Sequence, residues 1–475
     1  MFQPKPLYVL LSAVFFAATG SAQAAHSNTS LFSNFTPLTT SAGPTANESK
    51  PITLSSPNFT QVSIADRTTQ LGLGEANPGN WDMIAMNTSG LNAGRYLFMP
   101  FEQFDATNPQ AGVQRIDLQN GFATKTIVAP GTKGFTAGDA SRWTPWGSYL
   151  TAEENFSSTT TSASNTKGRL FEITNPTASA GSINFVERGV IPRVSHEGLA
   201  FDSNKNLYFI DELNGGGIYK YTSANPSALD GDGYFAAGQT FVLKVGAGGV
   251  ANATGSYTWA PITDANGAAL AGVNSTSTGA VDGRQAQDVI ASTPYNRPED
   301  MERGILANGD EVLVVATTGT NEVYQINETT GVISVLVDAN TIDLATGLPV
   351  GSAAFTNPDN IAQDADGNWY VIEDRNGGVD NDIWFVKDIN HDGDLLDAGE
   401  GIARWASNGT LGSEFTGLFF DPNDPNRAWV NIQHPTSGVD RTMQITAVPE
   451  AETYAMMLAG LGLVGFAASR RKLMK

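Results

Sequence analysis

The chain has 475 residues, with 27 Lys and Arg against 48 Asp and Glu, a formal net charge of −21 and no cysteine. An acidic surface of this kind repels nucleic acid, and a chain without cysteine forms neither disulfides nor thiolate metal sites. The length permits one large radial domain as readily as two compact ones.

Residues 1–24 read as an export leader: Lys5 precedes the apolar run 7–18, and Ala22-Gln23-Ala24 offers small residues for cleavage. The run is short for a membrane span, so the mature chain is expected outside the cytoplasm. Residues 25–79, rich in Ser, Thr, Asn and Pro, read as an extended lead-in, with room for some of it to pack at the propeller edge. Residues 80–447 carry short Val, Ile, Leu, Phe and Tyr runs broken by Asn, Asp and Gly, the pattern of an all-β body. A strand, turn, strand, loop, strand unit recurs at 198–221 and 360–386, with similar units in 146–173, 311–326 and 416–445. One such unit cannot bury both of its faces. Radial stacking can, which predicts a single β-propeller of five or six blades with loop insertions. The stretch 233–280 reads as a loop insertion and 284–291 as a short helix.

In Trp143-Thr144-Pro145-Trp146-Gly147-Ser148-Tyr149-Leu150-Thr151-Ala152-Glu153-Glu154-Asn155 an aromatic, β-branched run ends in two carboxylates, as in a strand carrying polar groups out to a sheet edge. Alternation sets Ala152 and Glu154 on one face, Thr151 and Glu153 on the other. Each repeat has its polar motif just before its first strand, so radial packing gathers the motifs at one end of a central channel. The candidates facing it are Glu154, Glu197, Glu299, Asp359 and Asp374, with Arg297 as the chief cation. Carboxylates converging in a narrow channel repel one another, and metal ions answer that repulsion. A surface or blade-to-blade salt bridge is the plain alternative for each residue.

A second oxygen-rich stretch is Asp388-Ile389-Asn390-His391-Asp392-Gly393-Asp394, continuing to Asp397 and Glu400. Oxygen donors at alternate positions around a turning glycine read as a separate calcium loop, although the last carboxylate misses EF-hand spacing. The alternative is a surface turn. His26, His196, His391 and His434 do not make a zinc cluster, and no Ser/His/Asp spacing suggests a triad.

The 143–155 stretch, Ser195-His196-Glu197-Gly198-Leu199, Asn296-Arg297-Pro298-Glu299-Asp300-Met301, Asn357-Pro358-Asp359-Asn360-Ile361, and Glu414-Phe415-Thr416-Gly417 with Asn431-Ile432-Gln433-His434-Pro435 together resemble the signature of the PhoX-type alkaline phosphatases, a family of exported bacterial proteins. The resemblance implies a propeller of six blades, calcium and iron, and hydrolysis of phosphate monoesters. It implies metal-ligand roles for Glu197 and Glu299, and an activating or phosphate-orienting role for Arg297. It also implies a metal-binding Cys before the paired Glu, where this chain has Ala152. Loss of a thiolate weakens any iron site unless carboxylates compensate.

Two functions follow. One is an exported, calcium-dependent metallophosphatase acting on phosphate monoesters. The other, favoured by Ala152, is a non-catalytic calcium-binding propeller of the surface or matrix. A lactonase or other hydrolase on a related propeller fits the motifs less well. At the C-terminus, residues 448–475 contain Val448-Pro449-Glu450, a small-apolar run over 454–468 and Arg470-Arg471-Lys472. This arrangement resembles a PEP-CTERM sorting signal, which implies export and sorting machinery as partners and delivery to the periplasmic side, the cell surface or the extracellular matrix. A permanent tail anchor is the alternative.

Overall fold

The computed structural model describes residues 29–449 except 46, 106, 159–162 and 376–380, so the leader and nearly all of the sorting tail lie outside the described residues. Six antiparallel blades of four strands make a β-propeller. Blade 1 is Ala85–Met86, Tyr96–Pro100, Val113–Asp117 and Ala123–Val128; blade 2 is Gly138–Trp143, Tyr149–Glu153, Leu170–Ile173 and Phe185–Glu187. Blade 3 is Leu199–Phe201, Leu207–Ile210, Ile218–Ser223 and Gly238–Val245; blade 4 is Pro298–Ile305, Glu311–Thr317, Glu322–Asn327 and Val332–Val337. Blade 5 is Pro358–Gln363, Trp369–Glu373, Asn381–Lys387 and Gly401–Asn408. Blade 6 takes Glu414–Phe420, Arg427–Gln433 and Arg441–Ala447, then receives Phe59–Asp66 as its outer strand.

The apolar runs are nearly continuous because each blade is covered on both faces. Alternation along Tyr149–Glu153 sends Tyr149 into the layer between blades 1 and 2, and Leu150 and Ala152 into the layer between blades 2 and 3. Six such apolar layers close the circle, the last joining blade 6 to blade 1 through Ile64, Trp81, Met99 and Trp429. Among the described residues no helix is long and apolar enough to cross a membrane.

Two boundaries differ from the sequence expectation. The lead-in is part of the ring: Phe59–Asp66 pairs with Arg441–Ala447, and Ile52–Leu54 pairs with the outer strand of blade 5. The polar composition of 25–79 hid this, because the pairing strands are short and their partners lie near the other end of the chain. The stretch 233–280 is not a plain insertion either. It supplies Gly238–Val245 and then Gly255–Pro261, which bridges blades 3 and 4 through Gly255 opposite Ile333. The expected helix forms as Gly283–Ile290, with the Asp282 side chain accepting from Gln285 N at 2.9 Å as its N-cap.

Between blades 5 and 6, Trp405 is fully buried against Phe32, Phe59 and Tyr370, and its Nε1 donates to Phe32 O at 3.1 Å. Trp405→Ala is expected to destabilise the protein by about 3–5 kcal/mol, measured as a lower urea midpoint. An unchanged midpoint would mean that the lead-in does not hold these blades together.

Candidate metal centre

Each blade presents two positions to one end of the channel: the entrance of its innermost strand and the exit of the next. Antiparallel pairing brings these two ends together. The entrances carry Asp82, Asp139, Glu197, Glu299, Asp359 and Glu414, and five of the exits carry Glu102, Glu154, Glu212, Thr318 and Asp374.

A β-bulge aims the entrance carboxylates. Gly138 pairs with Glu153 but Ser141 with Thr151, Pro298 with Thr317 but Met301 with Val315, and Pro358 with Glu373 but Ile361 with Val371. One extra residue on the inner strand leaves the ladder each time and turns the chain locally. Asp139, Glu299 and Asp359 stand at that point. The residues before each bulge share a left-handed backbone: Ala137 has φ 43°, Arg297 56° and Asn357 49°. Such conformations are costly outside glycine, and their recurrence in three blades marks a site held in place by its surroundings.

The exits use paired acids. Glu153-Glu154, Asp211-Glu212 and Glu373-Asp374 end the second strands of blades 2, 3 and 5. The first acid of each pair is bonded within the protein. Arg169 Nη2 lies 2.5 Å from Glu153 Oε1, Arg284 Nη2 lies 2.6 Å from Asp211 Oδ1, and Thr356 N donates to Glu373 Oε1 at 2.8 Å. The second acid of each pair faces the channel.

There a cavity of about 40 Å³ is lined by ten carboxylates, Asp82, Glu102, Asp139, Glu154, Glu197, Glu212, Glu299, Asp359, Asp374 and Glu414, with Arg297 and Thr416. Oxygens of Asp82, Glu102 and Asp139 lie within 4.8 Å of one another, as do those of Glu197, Glu212 and Glu299. Burial, opposed in part by hydrogen bonds, pushes Glu102 up to about 7; burial and the Glu212 charge push Glu299 up to about 8. Asp82, Asp139, Glu154, Glu197, Asp359 and Glu414 are held well above the usual carboxylate range, first by burial and then by neighbouring cavity carboxylates such as Glu102, Glu212, Glu299 and Asp374. Asp139 Oδ1, Glu197 Oε2, Asp374 Oδ1 and Glu414 Oε2 are buried without a hydrogen-bond partner among the described residues.

Among the described lining residues Arg297 is the one cation. Its Nε donates to Glu212 Oε1 at 2.6 Å and lies 3.3 Å from Glu299 Oε1, while its side chain stays 38% exposed. Although burial opposes it, the charges of Glu299, Glu212 and Glu197 hold the guanidinium above its ordinary value. Thr318 Oγ1 donates to Glu299, and His434 Nε2 lies 2.8 Å from Glu414 Oε1.

All five carboxylates expected from the sequence, with Arg297, meet here. Sequence reasoning missed Asp82, Glu102, Asp139, Glu212 and Glu414. Ala152 lies in the apolar layer between blades 2 and 3 and does not line the cavity. His196 is buried against Phe209, where burial and Arg193 lower its pKa to about 3. The 388–400 loop follows the third strand of blade 5, at the opposite end of the propeller from the cavity. Its oxygens are engaged within the loop: Asp388 Oδ2 accepts from Gly393 N at 2.9 Å, Glu400 Oε1 from Ile389 N at 2.9 Å, and Asp397 Oδ2 from Asn390 Nδ2 at 2.8 Å.

The donor set fits hard cations. It is all oxygen, it converges, and it leaves buried lone pairs without donors, as calcium ligation requires. Among the described residues no histidine, cysteine or methionine lines the cavity, and the Arg297 guanidinium has no lone pair to offer a metal.

A family model described as alkaline phosphatase PhoX matches residues 100–436, and one described as the PEP-CTERM protein-sorting motif matches residues 447–472. No curated protein matches the chain in sequence. The fold resembles Pseudomonas fluorescens PhoX in complex with vanadate, a transition state analogue, with a TM-score of 0.59 and 16% identity over 87% of this chain and 98% of that one. A more distant likeness is to a catalytically inactive virginiamycin B lyase from Staphylococcus aureus, with a TM-score of 0.43 and 13% identity over 82% of this chain and 100% of that one.

Proposed function

The chain belongs to the alkaline phosphatase PhoX family, and on that premise we propose that the carboxylate-lined cavity is the active site of an exported, calcium-dependent metallophosphatase that hydrolyses phosphate monoesters. The sorting motif at 447–472 marks the protein as exported and sorted to the cell envelope or surface, where such esters are met outside the cytoplasm. The convergence of ten carboxylates and one arginine from six blades carries the proposal.

Glu197, Glu212 and Glu299 would hold one group of ions, and Asp82, Glu102 and Asp139 another, with Glu154, Asp359, Asp374 and Glu414 completing the shell. Bound cations there would supply Lewis acidity toward the phosphoryl oxygens and acidify water. Arg297, partly exposed and pinned by Glu212, would orient the phosphoryl group and offset its developing charge. Thr318 fixes the Glu299 carboxylate, and His434 fixes that of Glu414. Calcium suits these oxygens. Iron, implied by the family resemblance, would be held by oxygen alone.

Metal-reconstituted protein is expected to hydrolyse p-nitrophenyl phosphate above a denatured control, and Glu299→Gln to lower kcat at least about tenfold, since loss of even an outer-shell partner of a metal costs 10–100-fold. Elemental analysis of the same samples reads metal content. A separate calcium site at Asp388, Asn390, Asp392, Asp394 and Asp397 is proposed on spacing alone, and would appear as a lower calcium content in Asp392→Ala with Asp394→Ala at unchanged turnover. Calcium binding with no turnover under any metal would replace the enzyme with the non-catalytic surface propeller that the missing thiol favours.

A further inference from the structure

We infer that blade 2 carries a second anion site that uses no metal: a cavity of about 440 Å³ in which Lys167, Arg169 and Arg193 hold a phosphate-type oxyanion. The inference stands apart from the phosphatase reading. This cavity shares no lining residue with the carboxylate cavity. It forms where the segment leading into Leu170–Ile173, the segment leaving Phe185–Glu187 and the turn at Thr278 and Gly279 meet.

Its charge runs against that of the chain, since three cations meet one lining carboxylate, Glu187, in a protein of net charge −21. Glu187 is shared: its Oε1 lies 2.6 Å from Arg193 Nη2 and its Oε2 lies 3.8 Å from Arg169 Nη1. Outside the lining, Glu153 also takes Arg169. Lys167 Nζ donates to a backbone carbonyl, Gly134 O, at 2.8 Å and has no carboxylate partner among the described residues. Arg193 is only 4% exposed, yet its Nε and Nη1 meet no acceptor among the described residues. A buried charged donor without an acceptor is costly, and burial lowers both Arg193 and Lys167 from their ordinary pKa values. An oxyanion in the cavity supplies the missing negative charge, and a phosphate dianion has oxygens enough for an ammonium and two guanidinium groups at once. The remaining walls include Thr278 and the backbone of Gly189 and Gly279, which suit a hydrated anion better than an apolar ligand.

Crystals of the protein with its native metals, soaked in sodium selenate, are expected to show an anomalous selenium peak against Lys167, Arg169 and Arg193. Calorimetry with inorganic phosphate at low salt is expected to resolve a binding event that Lys167→Gln weakens at least about tenfold, the weight of one charge-assisted hydrogen bond. Glu187→Gln is expected to tighten the same event roughly fivefold by removing a like charge from the wall. Glu187 is exposed, so this variant carries the test even if Lys167→Gln does not fold. Phenylphosphonate in place of phosphate tells whether the site admits an esterified phosphate or only the free ion. Turnover of p-nitrophenyl phosphate should keep its kcat in both variants. The phosphatase reading is tested by turnover and this inference by binding, so either can fail alone. Phosphate binding unmoved by both substitutions overturns the inference, and a selenate peak without such binding marks an adventitious ion only.

Discussion

Stripped of metal, the mature protein is expected to be most stable in mild acid and to lose stability steadily as the pH rises toward 8. Asp82, Glu102, Asp139, Glu154, Glu197, Glu299, Asp359 and Glu414 all have folded pKa values above the ordinary carboxylate range, with Glu102 at about 7 and Glu299 at about 8. In the unfolded chain they ionise near 4. A carboxyl with a raised folded value contributes stability that is fully present below its unfolded pKa. That stability is lost as the pH rises through the folded one. Each such group costs about 1.4 kcal/mol per pH unit inside its window.

Carboxylates held low, such as Asp117 by the Arg95 hydrogen bond, act only below this window. His196 acts the other way, since its folded pKa of about 3 favours the unfolded chain once the pH drops below about 6.5, but this one group is outweighed by the carboxyls until they are protonated in the unfolded chain as well, near pH 4. Bound calcium would take the place of the protons at high pH, and at a thousandfold excess over its Kd one site would add about 4 kcal/mol. Scanning calorimetry of chelator-treated protein at pH 5 and pH 8, with and without added calcium, tests this. A melting temperature that is flat across that range and indifferent to calcium would remove the cavity as a cation site.

Replacing Arg297 by alanine is expected to lower kcat/KM for phosphate monoesters by about 10²–10³-fold, the usual cost of one donor aimed at developing charge. Lysine should recover only part of this, because a point charge cannot reproduce the planar fork that now spans Glu212 and Glu299. Arg297 also balances one of the surrounding negative charges, so the variant must be compared per bound metal. If turnover per metal is unchanged, the arginine is a counter-ion for its carboxylates and nothing more.

The blades were legible because their strands are short, apolar on both faces and repeated, and because Glu197, Glu299 and Asp359 each sit beside a turn that opens a repeat. Glu212 was legible in principle: Asp211-Glu212 ends its strand as Glu153-Glu154 and Glu373-Asp374 end theirs. Asp82 and Glu102 belong to a blade whose inner strand is only Ala85–Met86, too short to register as a repeat. Asp139 depends on a bulge, and a bulge is a property of two strands rather than of one. The acid pairs also conceal opposite fates, since Glu153 meets Arg169 while Glu154 does not, and the arginines stand outside the motif. The 388–400 loop shows the converse case, where a ligand-like spacing can be occupied by bonds within its own turn.

The pairing of Phe59–Asp66 with Arg441–Ala447 sets an order of events. The closing strand is among the first parts of the chain to be synthesised, and its partner is the last strand before the sorting motif that begins at residue 447. No ribosome-bound or partly translocated chain can contain the finished circle. Since the cavity draws on every blade, from Asp82 to Glu414, its full ligand set exists only once both ends have met. Any cation that uses the whole set is therefore taken up only by a chain whose two ends have already closed the ring, not by one still being synthesised.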